Sequence, residues 1–302
     1  MGFDKLRLDD RVKACNDSEA LIRDVVKNPY SCTLWHEWDK PLQGLAAAED
    51  YVKWLDNDQA FVNTHVQLDG LCNGVQNLAA ITKDHNVAPH VGLIWTPERG
   101  DVYQYVCNDV IKQIKGGGAM ATEWLESQLL DRGITKTPVM TRSYGAKLYG
   151  IKEGIQDYID SKGMTDHFDD SFKAGNWMGT QIWNSMDKSL SGPMAFMNWV
   201  QMCAGIMAKA NLPLIWDNPV GGVCKQSPMV TKRSLIKVNI NGQRVDYVIQ
   251  KPTGKISKPK SESSSSPNVI HSCDGGHLTG TTDICLSKGI NDFAMVHDSF
   301  GT

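Results

Sequence analysis

Asp69 and Asp298 stand at the ends of two segments that read as strands, each flanked by small or polar residues that let a backbone come close to a ligand. Carboxylates so placed are hard oxygen ligands of the kind magnesium takes. A pair of such ions held about 3.5–4 Å apart can activate a hydroxyl and neutralise a leaving phosphate. Any chain of 302 residues contains many aspartate pairs, so spacing alone leaves ordinary strand-end caps as the alternative. A second feature is a run of cations between Lys225 and Lys260, where Lys232, Arg233, Lys237, Arg244, Lys251, Lys255 and Lys258 accompany the single acid Asp246. That excess attracts a phosphate backbone, although a solvated loop has the same composition.

These residues must be held by elements whose pattern is visible in the chain. Val62 to Leu68 alternates as a strand, breaks at Asp69-Gly70 and gives way to an apolar helical pattern from Val75 to Ile81. Asp17-Ser18 is placed to cap a helix through Leu21, Ile22, Val25 and Val26, and Leu45 to Leu55 is amphipathic with Tyr51 and Trp54 on one side. Further helices are predicted at Val102 to Ile114, which stops at Gly116-Gly117-Gly118, at Thr122 to Leu130, and at Pro193 to Ala210. The methionines of the last read as core filler. Leu235 to Ile240, the turn Asn241-Gly242 and Arg244 to Ile249 form a β-hairpin pattern inside the basic run, and Ser261 to Ser266 reads as a low-complexity loop. Phe293 to Val296 is a short apolar strand that delivers His297-Asp298-Ser299 to its end, and its edge asks for a covering element.

Composition narrows the class. Hydrophobic residues make up 41% and charged residues 22% of the chain, which excludes disordered and fibrous proteins and allows a large core. No apolar run approaches the roughly 20 residues that span a bilayer, and Met1 to Asp10 has no hydrophobic signal core, so a cytosolic protein without membrane contact is expected. The eight cysteines form no Cys-x-x-Cys pair and read as reduced packing residues. A net charge of -3 carries no global sign of nucleic-acid binding, so such contact must come from local patches.

Four segments, in order, resemble the single-subunit phage and mitochondrial DNA-dependent RNA polymerases. Leu68-Asp69-Gly70-Leu71-Cys72-Asn73-Gly74-Val75-Gln76-Asn77 is similar to their first palm segment, and Val296-His297-Asp298-Ser299-Phe300-Gly301-Thr302 to their last. Arg132 to Gly145, with Lys136, Tyr144 and Gly145, resembles the fingers segment, and Pro267 to Leu278, with His271, the segment that leaves the fingers and re-enters the palm. The likeness runs from about Leu45 to Thr302, with a weaker trace at Trp35 to Leu42. Asn77 stands where many members carry histidine, and the hairpin matches no familiar member, so no promoter sequence is implied.

What the resemblance implies is specific. Asp69 and Asp298 hold two Mg2+ ions, with the Gly70 carbonyl as a further ligand. Lys136, just before Pro138 at an expected helix start, meets the triphosphate with Arg132, and Lys136 neutralises or protonates the leaving pyrophosphate. Tyr144, eight residues on, faces the base and sugar and helps select ribose. Tyr103 lines the nucleotide channel, and His271 lies at the primer end. Gly74 stands where related DNA polymerases carry a glutamate that crowds the 2′-hydroxyl, and Ser299 where they carry another glutamate. In the hairpin, Lys237, Asn239, Asn241 and Arg244 are candidates for promoter contact by position alone.

The implied fold is α/β (α+β), a polymerase right hand with a small antiparallel palm sheet and a large, mainly helical fingers subdomain. The palm is expected at residues 1–83 and 272–302 and the fingers at 84–271, including a basic hairpin at 231–256. The family's N-terminal region has no counterpart here, and the chain is read as a core cut short at both ends. The implied activity is DNA-directed RNA synthesis from ribonucleoside triphosphates by a monomer, with template DNA, nascent RNA and, in the complete enzyme, promoter DNA as partners. A related DNA polymerase and a catalytically incompetent nucleic-acid-binding fragment are the alternatives.

Overall fold

The computed structural model describes residues 6–302. In chain order its helices are α1 (Leu8–Asp17), α2 (Glu19–Lys27), α3 (Pro41–Asp56), α4 (Asn73–Thr82), α5 (Val102–Ile114), α6 (Ala119–Glu126), α7 (Arg132–Ser143), α8 (Leu148–Ser161), α9 (Ser171–Ser189), α10 (Ser191–Lys209) and α11 (Lys258–Ser287). Its strands are β1 (Gln67–Asp69), β2 (Leu214–Asp217), β3 (Val223–Gln226), β4 (Met229–Ile240), β5 (Gln243–Ile256), β6 (Ala294–Val296) and β7 (Ser299–Gly301). All pairings are antiparallel: β1-β7-β6, β2-β3 and β4-β5. This mixture of helices and small antiparallel sheets agrees with the expected α/β class. Among the described residues no helix is long and apolar enough to cross a membrane.

The chain forms two compact units, one made of the residues through Asp69 together with Ile290–Thr302, the other of Gly70–Gly289. In the first, α2 buries Ile22 and Val25, and Arg23 reaches Asp56 at the end of α3 at 2.7 Å. Ser18 occupies the residue before α2 but its hydroxyl makes no cap bond. Of the expected strand Val62 to Leu68 only Gln67 and Leu68 lie in a strand, β1, which runs on to Asp69. The backbone N–H groups of Asn63 and Thr64 go instead to the buried carboxylate of Asp50, at 3.0 and 2.7 Å, so they are withdrawn from any ladder.

The second unit holds a helical core whose spacing is plain in the chain. α5 buries Val102, Val106, Val110 and Ile114, α8 buries Ile151, Ile155 and Ile159, and α9 buries Met178, Ile182 and Met186, all at intervals of four. A Cβ at Gly179 would lie 2.8 Å from Lys152 Cγ and 3.0 Å from its Cα, so this glycine sets how closely α9 approaches α8. Asp101, Asp131 and Asp170 each precede a helix and accept its first N–H groups.

Three expectations change here. Helix α7 starts at Arg132, six residues before Pro138, because Asp131 caps Gly133 and Ile134 N–H at 2.7 and 3.3 Å; Pro138 is buried inside the helix. Ser261 to Ser266 is no loop but part of α11. Its small side chains return hydroxyl bonds to the helix backbone, as Ser264 does to Lys260 at 2.6 Å and Ser265 to Glu262 at 3.1 Å. Ser261, Ser265 and Ser266 are buried, and Gln226 holds the Ser261 carbonyl at 2.9 Å. The expected helix at Thr122 to Leu130 also ends early, at Glu126, before Gln128 takes a left-handed backbone (φ 59°).

Candidate active site

In the first unit the candidate side chains are held by three-residue strands, Asp69 at the end of β1 and Asp298 in the turn between β6 and β7. Asp69 pairs with Ser299, Leu68 with Phe300 and Gln67 with Gly301, while Val296 pairs with Ser299 across the two-residue turn His297-Asp298. Asp298 is therefore one residue from the partner of Asp69, a Cα separation of about 6 Å from strand spacing and rise. Gln67 fixes the register, accepting the Ser299 hydroxyl and donating to the Ala294 carbonyl at 2.9 Å. Asp69 is exposed and the Asp298 side chain is 35% exposed, with His297 Nδ1 3.4 Å from its Oδ1. Among the described residues no lysine or arginine is paired with either carboxylate, and no group of three or more His, Cys, Asp and Glu side chains gathers at one point. Two open carboxylates suit magnesium, which takes one or two from protein and keeps waters and phosphates for its other positions.

In the second unit Arg132 opens α7. It pairs with Asp101 and lies over the Tyr103 ring at 4.8 Å, so one carboxylate both caps α5 and holds this cation. Burial, then the neighbouring Cys72, pushes the Tyr103 hydroxyl well above the usual tyrosine range, and the hydroxyl stays a neutral group. Lys136 is exposed one turn further along. It sits within α7 rather than at its start, where Asp131 already meets the free N–H groups.

Tyr144 lies just past the end of α7. Gly145 N–H bonds to Arg142 O at 2.9 Å and Ala146 N–H to Thr141 O at 3.1 Å, which closes the helix with a left-handed residue. Gly145 fills that position (φ 88°), and a Cβ there would lie 2.8 Å from Pro267 Cγ. The ring of Tyr144 stacks on His271 with centroids 4.7 Å apart and planes at 21°. Gly74, on the first turn of α4, abuts Ser143 and Tyr144: a Cβ would collide with Ser143 Oγ and lie 3.0 Å from Tyr144 Cε2. Gly74 thus has a packing reason as well as the one the resemblance implied.

Beneath the stacked rings lies Asp274, buried at 2% exposure and absent from the sequence-based site. Its Oδ1 accepts from Asn73 Nδ2 and Asn77 Nδ2, both at 2.6 Å; its Oδ2 accepts the Tyr144 hydroxyl at 3.3 Å and lies 3.6 Å from His271 Nδ1. A signal existed: the asparagines are four apart at the start of a helix, and Asp274 is three residues after His271.

The basic hairpin β4-β5 is exposed along most of its length, with Asn241 (φ 51°) and Gly242 (φ 80°) at its tip. Its register puts Lys237 opposite Asp246 and Asn239 opposite Arg244. Arg233, Lys237, Asn239 and Arg244 share one face, and Ile236, Val238, Val245 and Tyr247 the other.

The family pattern described as DNA-dependent RNA polymerase matches residues 1–302, and the chain belongs to that family. It is similar to the chloroplastic DNA-directed RNA polymerase 3 of Nicotiana sylvestris, with 28% identity over 316 residues, all of this chain and 32% of that protein. It is 28% identical to the mitochondrial DNA-directed RNA polymerase 1B of Nicotiana tabacum, covering 31% of it, and 27% identical over 351 residues to the T7 RNA polymerase of Escherichia phage T7, covering 39%. The chain spans about a third of the length of the curated relatives it matches first.

Proposed function

We propose that this chain carries the catalytic core of a DNA-directed RNA polymerase, with residues 1–83 and 272–302 as palm and 84–271 as fingers. The observation that carries the reading is the pairing of Asp69 with Ser299, which sets Asp298 beside Asp69 in a chain that belongs to this family. Asp69 and Asp298 hold two Mg2+ ions, with the Gly70 carbonyl as a further ligand. Those ions, when bound, lower the pKa of the attacking hydroxyl and neutralise charge on the phosphates.

The reaction joins a 3′-hydroxyl oxygen of the growing RNA to the α-phosphorus of a ribonucleoside triphosphate, breaks the bond to the β-phosphate and releases pyrophosphate, while the hydroxyl proton passes to solvent. Lys136 and Arg132 bind the triphosphate; Arg132 is preoriented by Asp101 and Tyr103, and the Lys136 ammonium, exposed on α7, neutralises the departing pyrophosphate. Tyr103 lines the approach of the nucleotide. Tyr144 and the stacked His271 meet the sugar and the RNA end, with Gly74 leaving room beside them. Template DNA and nascent RNA are the macromolecular partners. The polar face of the hairpin, with Lys237 and Arg244, and Asn241 at its tip meet promoter DNA. We place the protein in the cytosol as a monomer.

The test is extension of a labelled RNA primer on a DNA template by the complete natural polypeptide that carries this chain. A product complementary to the template, made from ribonucleoside triphosphates, is expected. Untemplated addition, or extension from deoxynucleotides alone, contradicts the reading.

A further inference from the structure

We infer that the exposed apolar face of α10, with the cavity beside it, is the docking site of an amphipathic segment of the same complete polypeptide that lies outside residues 1–302. Helix α10 is apolar on two opposite sides. Met197, Val200, Ala204 and Ala208 face the core. Trp199, Met202 and Ile206 lie about half a turn away, at about 100° of rotation per residue, and are 55%, 56% and 60% exposed. A helix apolar on both sides is ordinarily covered on both, and a contiguous exposed apolar patch marks a protein contact.

The cavity at the flank of this stripe holds about 390 Å³, between Phe196, Trp199 and Cys203 of α10, Ile215 and Trp216 of β2 and Val269 of α11. Its walls are preformed. Trp216 Nε1 donates to Ser272 Oγ at 2.8 Å, and the Phe196 and Trp199 rings lie 5.8 Å apart. The face fits apolar protein rather than nucleic acid: among the described residues that line the cavity Asp217 is the one charged side chain, and a carboxylate repels a phosphate backbone. Length sets the source. This chain spans about a third of the relatives it matches first, so a polypeptide of their length has about two thirds of its residues elsewhere, from which a cover can come. The docked segment also braces the frame of the candidate site. Ile81, which lines the cavity, is one turn beyond Asn77 on α4, and Cys273, which lines it too, precedes Asp274 on α11.

The experiment places photoreactive p-benzoylphenylalanine at Met202 in the complete natural polypeptide and maps the crosslinked peptides by mass spectrometry. Crosslinks within one polypeptide to a peptide outside residues 1–302 are expected. Crosslinks that join two copies, crosslinks confined to residues 1–302, or none at all overturn the inference. Alkylation of Cys203 by iodoacetamide is followed in parallel. Ile206→Glu puts a charge on the covered face and is expected to speed that alkylation about tenfold, the effect of losing one interface anchor. A side chain more than half exposed in this chain has no such effect on a neighbouring thiol unless a cover is displaced, so an unchanged rate overturns the inference. If Ile206→Glu does not fold, Met202→Glu replaces it with the same two outcomes.

Discussion

The two units solve opposite problems. The sheet that holds Asp69 and Asp298 is three strands of three residues, open to solvent, with both carboxylates left unpaired by any lysine or arginine among the described residues. The cluster around Tyr144 is closed: a buried aspartate, two asparagines, a stacked ring pair and a glycine that admits no Cβ. On the function proposed above, the contrast follows from what each would bind. A site for hydrated cations needs open oxygens and tolerates a thin frame, because ligand waters and phosphates complete it. A site that tells one sugar from another reads the presence of a single hydroxyl, and that needs fixed donors and acceptors.

Substitutions can break or sharpen this contrast. The largest effect is expected at the open sheet: Asp298→Asn should cut templated extension by at least about 10³-fold, the several kcal/mol that metal-assisted charge stabilisation contributes. Its thermal unfolding should stay within about 0.5 kcal/mol of the parent, as for a surface change. The closed cluster should behave otherwise. Gly74→Ala forces a methyl into Ser143 and Tyr144, and is expected to lower stability by about 1–3 kcal/mol together with activity, as read by chemical denaturation and extension. Retained stability there would mean that Tyr144 moves freely and the contrast is false. In the core shared by α8 and α9, Ile155→Ala should cost about 2–5 kcal/mol with no specific change in sugar choice.

The smallest effect is a pH response in the first unit. Hydrogen bonds from the Thr64 side chain, then Lys53 and the Asn63 and Thr64 backbone, hold the Asp50 carboxyl far below the usual carboxylate range. A group depressed in the fold stabilises it above the ordinary carboxylate pKa, near 4, and that contribution fades as pH falls below it. Proteolysis between Asn57 and Val66 should therefore quicken below about pH 4 in the parent, and Asp50→Asn should show the faster rate already at neutral pH with little further change on acidification. A pH-independent rate in the parent would remove Asp50 from this role.

Much of this was legible in the chain where local chemistry and packing agree. Helix α5 has the bounds its apolar spacing and the Gly116-Gly117-Gly118 stop predict, and Asn241-Gly242 turns where a two-residue hairpin needs left-handed residues. Two of the misreadings share a cause, in that a partner farther along the chain overrode local pattern; in α7 the overlooked signal was the local cap Asp131, and α6 ends early before the left-handed Gln128. Asp50 drew the N–H groups of Asn63 and Thr64 away from a strand, and burial beside Gln226 made a helix of a serine run. Asp274 escaped for the same reason. The spacing of Asn73 and Asn77 and of His271 and Asp274 is visible along the chain, but that the two amides, some two hundred residues away, point at Asp274 is not.

The most direct test compares the complete natural polypeptide with its Asp69→Ala, Asp298→Ala double variant in the same primer-extension assay, with unfolding followed in parallel. Templated RNA synthesis by the parent, its loss in the variant and coincident unfolding curves are the predicted result. Normal extension by a folded double variant would contradict the assignment of these two aspartates to the chemistry.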